Sequence, residues 1–136
     1  RKKPLKIAVK SEESGRTVTI KECYAAMGGD YQDVLRRFRS EALLEKFSVK
    51  FLEDTTYQTL RSALEAENAQ EAFRAAHTLK GISQNLGFTQ LYQASCVLTE
   101  ALRGGFLPVD EKIVKEVETA FWKTTASLKK LSKRDG

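Results

Sequence analysis

The chain has 136 residues but only one histidine, one methionine, one tryptophan, two prolines and two cysteines. Cys23 and Cys96 lie far apart in sequence and lack metal-ligand spacing, so they read as ordinary thiols rather than a disulfide or a metal site. No apolar run approaches the roughly 18 residues that a membrane-spanning helix needs, and nothing resembles a signal peptide. Alternation of the kind that marks β-strands is missing at useful length after Thr19. A single imidazole, with no second histidine and no carboxylate three or four residues on, also disfavours a metal centre. Disordered, membrane-spanning, disulfide-stapled and metal-bound classes all recede.

What remains is 41% hydrophobic and 30% charged, the balance of one globular domain with a single core. The net charge of +5 raises the question of nucleic acid. Arg1, Lys2, Lys3, Lys6 and Lys10 account for it, because the other eighteen basic residues face 18 acidic ones. A groove-reading domain would carry its excess on the folded body, so neither nucleic-acid binding nor membrane insertion is expected. Residues 1–18, with Pro4 and Gly15, read as a basic linker, and residues 19–136 as the domain. An opening Arg1 in place of an initiator methionine is what a trimmed chain, or a domain cut from a longer one, is expected to show.

Helix punctuation then divides the chain. Gly28 and Gly29 end a short helix, and Asp30 caps the next, "YQDVLRRF". Ser40 caps a long segment, Glu41 to about Glu67, whose apolar phase drifts near Asp54–Tyr57, where a bend or break is expected. Asn68 caps a helix over Ala69–Leu86 that Gly87 closes. "FTQLYQASCVLTEALR" forms another, with Leu91, Ser95, Leu98 and Leu102 on one stripe and Gly104–Gly105 as its stop. Pro108 and Asp110 open the last, where Ile113, Val117, Ala120, Thr124, Leu128 and Leu131 keep heptad-like spacing. The expected fold is all-α, an antiparallel four-helix bundle with one or two short N-terminal helices.

The lone histidine, His77, sits mid-helix in "AAHTLKGISQNLGF". Gly81 lies one turn on, where glycine costs about 1 kcal/mol relative to alanine and so calls for a packing or functional reason. At about 100° per residue, Gln70, Phe73, Arg74, Lys80, Gly81, Gln84 and Phe88 fall within about 60° of His77. Ala72, Ala75, Leu79, Ile82, Ser83 and Leu86 gather on the opposite face, which is the core stripe. His77 therefore points away from the core, unlike the usual buried and hydrogen-bonded histidine. An inert surface histidine is the other plain reading. Against it, Lys80 can neutralise charge arriving on the ring, Gly81 leaves a depression, and Phe73 puts an apolar group on the water side that calls for a cover. Together they describe a protein-docking surface centred on a nucleophile.

"HTLKGISQNLG" resembles the signature of histidine-containing phosphotransfer (HPt) domains, His-x-x-Lys-Gly followed by a small residue and a terminal Leu-Gly. His77, Lys80, Gly81, Ser83, Leu86 and Gly87 match it, and the likeness runs from about Asp30 to Leu131. Ile82 and Gln84 stand where the family usually has small residues; Ile82 is expected to fill the core, and Gln84 to contact the phosphoryl group or narrow partner choice. The resemblance implies a phosphocarrier rather than an enzyme, with no cofactor of its own. His77 would take a phosphoryl group from one receiver-domain aspartate and pass it to another, Lys80 would stabilise it, and Gly81 would let the receiver approach. Mg²⁺ would come from the receiver. Phe73, Arg74, Gln84 and Phe88 are expected to form the docking rim, with Tyr92 or Thr99 joining from the next helix. The implied partners are receiver domains of response regulators or hybrid sensor kinases, and the domain itself is expected to be a monomer. Its expected place is the cytoplasm, as a hybrid-kinase module or a free-standing carrier, including the cytoplasmic part of a membrane-bound kinase. The alternative is a helical interaction module that transfers no phosphate.

Overall fold

The computed structural model describes residues 18–135, with side chains described through residue 132. The expected linker over residues 1–18 thus lies, Val18 apart, outside the described residues. Among the described residues the regular structure is helical: α1 (Ile20–Met27), α2 (Tyr31–Phe38), α3 (Glu41–Lys50), α4 (Thr56–Glu65), α5 (Ala69–Leu86), α6 (Thr89–Leu102) and α7 (Glu111–Asp135), with a 3-10 turn at Phe51–Glu53. No described helix is long and apolar enough to cross a membrane.

Local chemistry explains the boundaries. Thr19 and Glu22 close a reciprocal capping box, each side chain accepting from the other's backbone N–H at 3.0 Å. Asp30, Ser40 and Asn68 each accept from the backbone N–H three residues on, at 3.2, 3.1 and 3.1 Å, satisfying amides that a helix start leaves unpaired. Gly87 ends α5 at φ +70°, and a Cβ there would lie 2.2 Å from Val34 Cγ1, so both its backbone conformation and the approach of α2 require glycine.

The long segment predicted over 41–67 is interrupted. Phe51 turns inward to pack edge-on against Phe88, 5.3 Å between centroids, and against Phe121 at 6.0 Å. The chain then restarts at α4, where Asp54 accepts from Thr56 N–H at 2.8 Å. Phase drift in the apolar pattern locates this break to within a few residues.

Helix α5 packs on both α4 and α6, α6 packs on α7, and α7 also covers α1. Connections of only a few residues, 66–68 and 87–88, make α4, α5 and α6 successive antiparallel neighbours. Leu79, Leu91, Leu98, Leu102, Leu128 and Leu131 are essentially inaccessible and form one core with Ile20, Met27, Leu44 and Leu60. Each such leucine contributes roughly 1.5–3 kcal/mol through removal from water. Ile82, expected to fill this core, is only half-buried and lines a groove beside Phe38, Phe47 and Leu86. Ile113, from the predicted stripe of α7, is likewise half-buried, whereas Val117, Ala120, Thr124, Leu128 and Leu131 are buried.

Tyr24 ties three parts of this packing together. Its buried hydroxyl donates to the Leu86 carbonyl at 2.5 Å and shares a 2.9 Å hydrogen bond with Ser48 Oγ. Replacing it, Tyr24→Phe, strands a buried carbonyl and hydroxyl and is expected to cost about 1–3 kcal/mol, read by chemical denaturation. A second outcome concerns alkali. Burial pushes the Cys23 thiol from its usual 9.0 up to about 11, opposed in part by Lys130, and burial likewise raises Tyr24. The fold thus favours the protonated thiol, and the unfolded chain loses that proton first as pH rises. Stability should therefore hold up to about pH 9 and decline towards about pH 11, with a shallower decline in Cys23→Ala.

Candidate functional site

Rotation of α5 is set by what it buries. Ala72, Ala75, Ala76, Leu79, Ser83 and Leu86 face the neighbouring helices. Small side chains at four of these positions let α4 and α6 approach closely, and Ser83 satisfies its hydroxyl by donating to Leu79 O at 2.8 Å. His77 is left exposed on the far side. Its ring lies 6.1 Å from that of Phe73, tilted by 40°, and among the described residues none hydrogen-bonds the imidazole.

Lys80, one turn further on, is half-buried. At Gly81 an added side chain would meet nothing: no atom of another element lies within 4 Å of the position its Cβ would take. The glycine therefore has no packing role within this chain, and its conformation is ordinary helix. A residue that weakens its helix and fits no internal neighbour leaves space for something from outside.

The predicted rim is only partly assembled. Phe73 is half-buried, Arg74 and Gln84 are exposed, and Arg74 is engaged in an ion pair with Glu71. Tyr92 is half-buried, beside the Cys96 thiol that raises its phenol above the usual range. Two assignments are corrected. Phe88 is 0% exposed, packed against Tyr24 and Phe51, because the helix ends at Leu86 and the left-handed turn at Gly87 swings the chain inward. A helical projection carried through that turn put it on the wrong face. Thr99 is also 0% exposed, with its hydroxyl donated to Ser95 O at 2.7 Å, so it offers nothing to a partner.

Two further features of the site are not evident from the sequence alone. From α6, the Arg103 guanidinium lies 5.3 Å over the Phe73 ring and forms a bidentate pair with Glu100, Nε to Oε1 at 2.9 Å and Nη2 to Oε2 at 2.7 Å. The Arg103 hydrogen bond, then its charge and that of Lys80, hold the Glu100 carboxyl below the usual carboxylate range. Their three-residue spacing is a visible sign of an ion pair, but only the packing of α6 on α5 brings it against Phe73, one turn from His77. At the other end, Arg37 donates to the Asn85 and Gln84 carbonyls at 3.0 and 3.4 Å, capping α5 with a cation where its dipole is negative.

These elements make an exposed face of α5 with a bare notch at Gly81. A family model described as the Hpt domain matches residues 43–126, more than half of the chain. The chain belongs to the Hpt family. Among curated proteins and among solved structures, none matches it. The family match spans α5 in full and is narrower than the Asp30–Leu131 likeness, leaving α1 and α2 outside it. Hpt domains are helical phosphocarriers of histidine phosphotransfer rather than enzymes, and they interact with receiver domains.

Gly81→Ala distinguishes a packing role from an approach role. With open space above the position, alanine should stabilise the Hpt domain by up to about 1 kcal/mol in chemical denaturation while weakening its association with a receiver. Destabilisation would mean the space is needed within the fold.

Proposed function

We propose that this Hpt domain carries a phosphoryl group on His77, taking it from the aspartyl phosphate of one receiver domain and delivering it to the aspartate of another. The observation that carries this reading is the exposed imidazole beside an open notch, with a lysine one turn away.

The chemistry follows from these groups. In the tautomer that keeps its proton on Nδ1, the imidazole presents the Nε2 lone pair outward. Attack in line forms the Nε2–P bond as the P–O bond to aspartate breaks, and the electron pair leaves with the carboxylate. Onward transfer reverses these roles at the second receiver. Such reactions depend on positioning and on stabilising charge on the equatorial oxygens. Lys80 supplies a cation for those oxygens, and the missing side chain at Gly81 lets the receiver close to bonding distance. Mg²⁺ and the remaining acidic groups come from the receiver. Phe73, Arg74 and Gln84 form the rim it meets, and the receiver is part of a response regulator or a hybrid sensor kinase.

The alternative, a helical interaction module with an incidental histidine, makes the opposite forecast. Incubated with radiolabelled phosphoreceivers and Mg²⁺, wild type should gain acid-labile, base-stable label. His77→Gln should gain none, and Lys80→Ala should label more slowly with an unchanged denaturation midpoint. Equal labelling of wild type and His77→Gln, or none of wild type by any receiver, would overturn the carrier reading.

A further inference from the structure

The hairpin of α5 and α6 is antiparallel, and the Arg103 guanidinium over Phe73 sets the C-terminal end of α6 beside the N-terminal half of α5. From that contact His77 lies four residues on along α5, about 6 Å at 1.5 Å per residue. Glu100 lies three residues back along α6, about 4.5 Å in the same direction. By this count Glu100 falls roughly level with His77 along the hairpin; it is bonded to Arg103 through both carboxylate oxygens and within the field of Lys80. A phosphoryl group on His77 would present the same two cations with what the carboxylate now offers, paired oxygens bearing negative charge that suit a guanidinium fork.

We propose that Glu100 is an internal stand-in for the phosphoryl group: it holds Arg103 in the unphosphorylated domain, yields it to phospho-His77, and thereby limits how long the phosphoryl group stays. This rests on His77 being the acceptor. Both side chains of the Glu100–Arg103 pair are more than half exposed, at 62% and 55%, and exposed pairs are weak enough to exchange. Once Arg103 has moved, the Glu100 carboxylate stands beside a phosphoryl dianion. Its charge opposes that dianion and favours protonation of the imidazole, which makes the ring a better leaving group. Glu100 is a positioning residue, acting through Arg103 and through its field. The domain is thereby tuned to relay rather than store.

Phosphoramidate tests this without any receiver. Nε2 attacks its phosphorus, the P–N bond to the amino group breaks, and ammonia leaves with the proton the imidazole gives up. In the subsequent decay water attacks phosphorus, the Nε2–P electron pair returns to the ring, and inorganic phosphate is released. Phosphohistidine lifetime is read by ³¹P NMR, and the Arg103 Nε–H resonance by ¹⁵N NMR. Glu100→Gln is expected to lengthen the lifetime about three- to tenfold, the size of one like charge removed from several ångströms away in a largely aqueous setting. Glu100→Asp should stay near wild type, and the Glu100→Gln gain should shrink in the Arg103→Ala background to what the carboxylate's own field accounts for. The Arg103 resonance should shift when wild type is phosphorylated. An unchanged lifetime in Glu100→Gln, a gain undiminished by Arg103→Ala, or an Arg103 resonance indifferent to phosphorylation would overturn the proposal. A histidine that takes no phosphate from phosphoramidate would overturn both readings. Normal Glu100 effects with failure to label from every receiver would overturn the carrier reading alone.

Discussion

Burial of one stripe of α5 between α4 and α6 sets the rotation of that helix, and every feature of the site inherits it. The stripe is made largely of alanine and serine around Leu79 and Leu86, so the neighbours sit close and leave little freedom to roll. The C-terminal end is held further by the leading helices. Tyr24 bonds the Leu86 carbonyl, Asp30 N–H reaches the Gly87 carbonyl at 3.0 Å, and Arg37 caps Gln84 and Asn85. The two short helices outside the family match thus brace the helix that carries His77. A presented side chain needs that bracing, because no pocket wall holds it in place.

Much of this was legible in the chain itself. Asp30, Ser40 and Asn68 announced helix starts through short acceptor side chains, and Gly87 announced a stop through its backbone freedom. The bounds of α5 and the outward turn of His77 followed from local chemistry and a 3.6-residue period. Phe88 failed because a helical projection ceases to apply once the backbone turns left-handed. Thr99 failed for a related reason: adjacent stripes of a helix differ by tens of degrees, and neighbouring helices decide which is covered, as they also leave Ile82 packed against the core but half-buried. The Glu100–Arg103 pair was visible as a pair but not as a neighbour, since inter-helix register is not written in either helix alone.

The electrostatic layout suits a carrier. Lys80 lies one turn from His77 on α5, the Arg103 guanidinium covers the Phe73 ring that His77 contacts, and the Glu100 carboxylate pairs with Arg103. On the proposed reading this charge is arranged to receive an anion. Gly81 adds the steric half of the same design, a weakness in the helix that nothing inside the fold requires.

The most direct measurement is backbone amide shift mapping as unlabelled receiver is titrated into ¹⁵N-labelled domain with Mg²⁺. The expected result is a set of largest shifts along the outer face of α5, at Phe73, Arg74, His77, Lys80, Gly81 and Gln84. Largest shifts around the exposed Trp122 or Val97, with His77 unmoved while the receiver binds, would contradict an outward docking face centred on the imidazole.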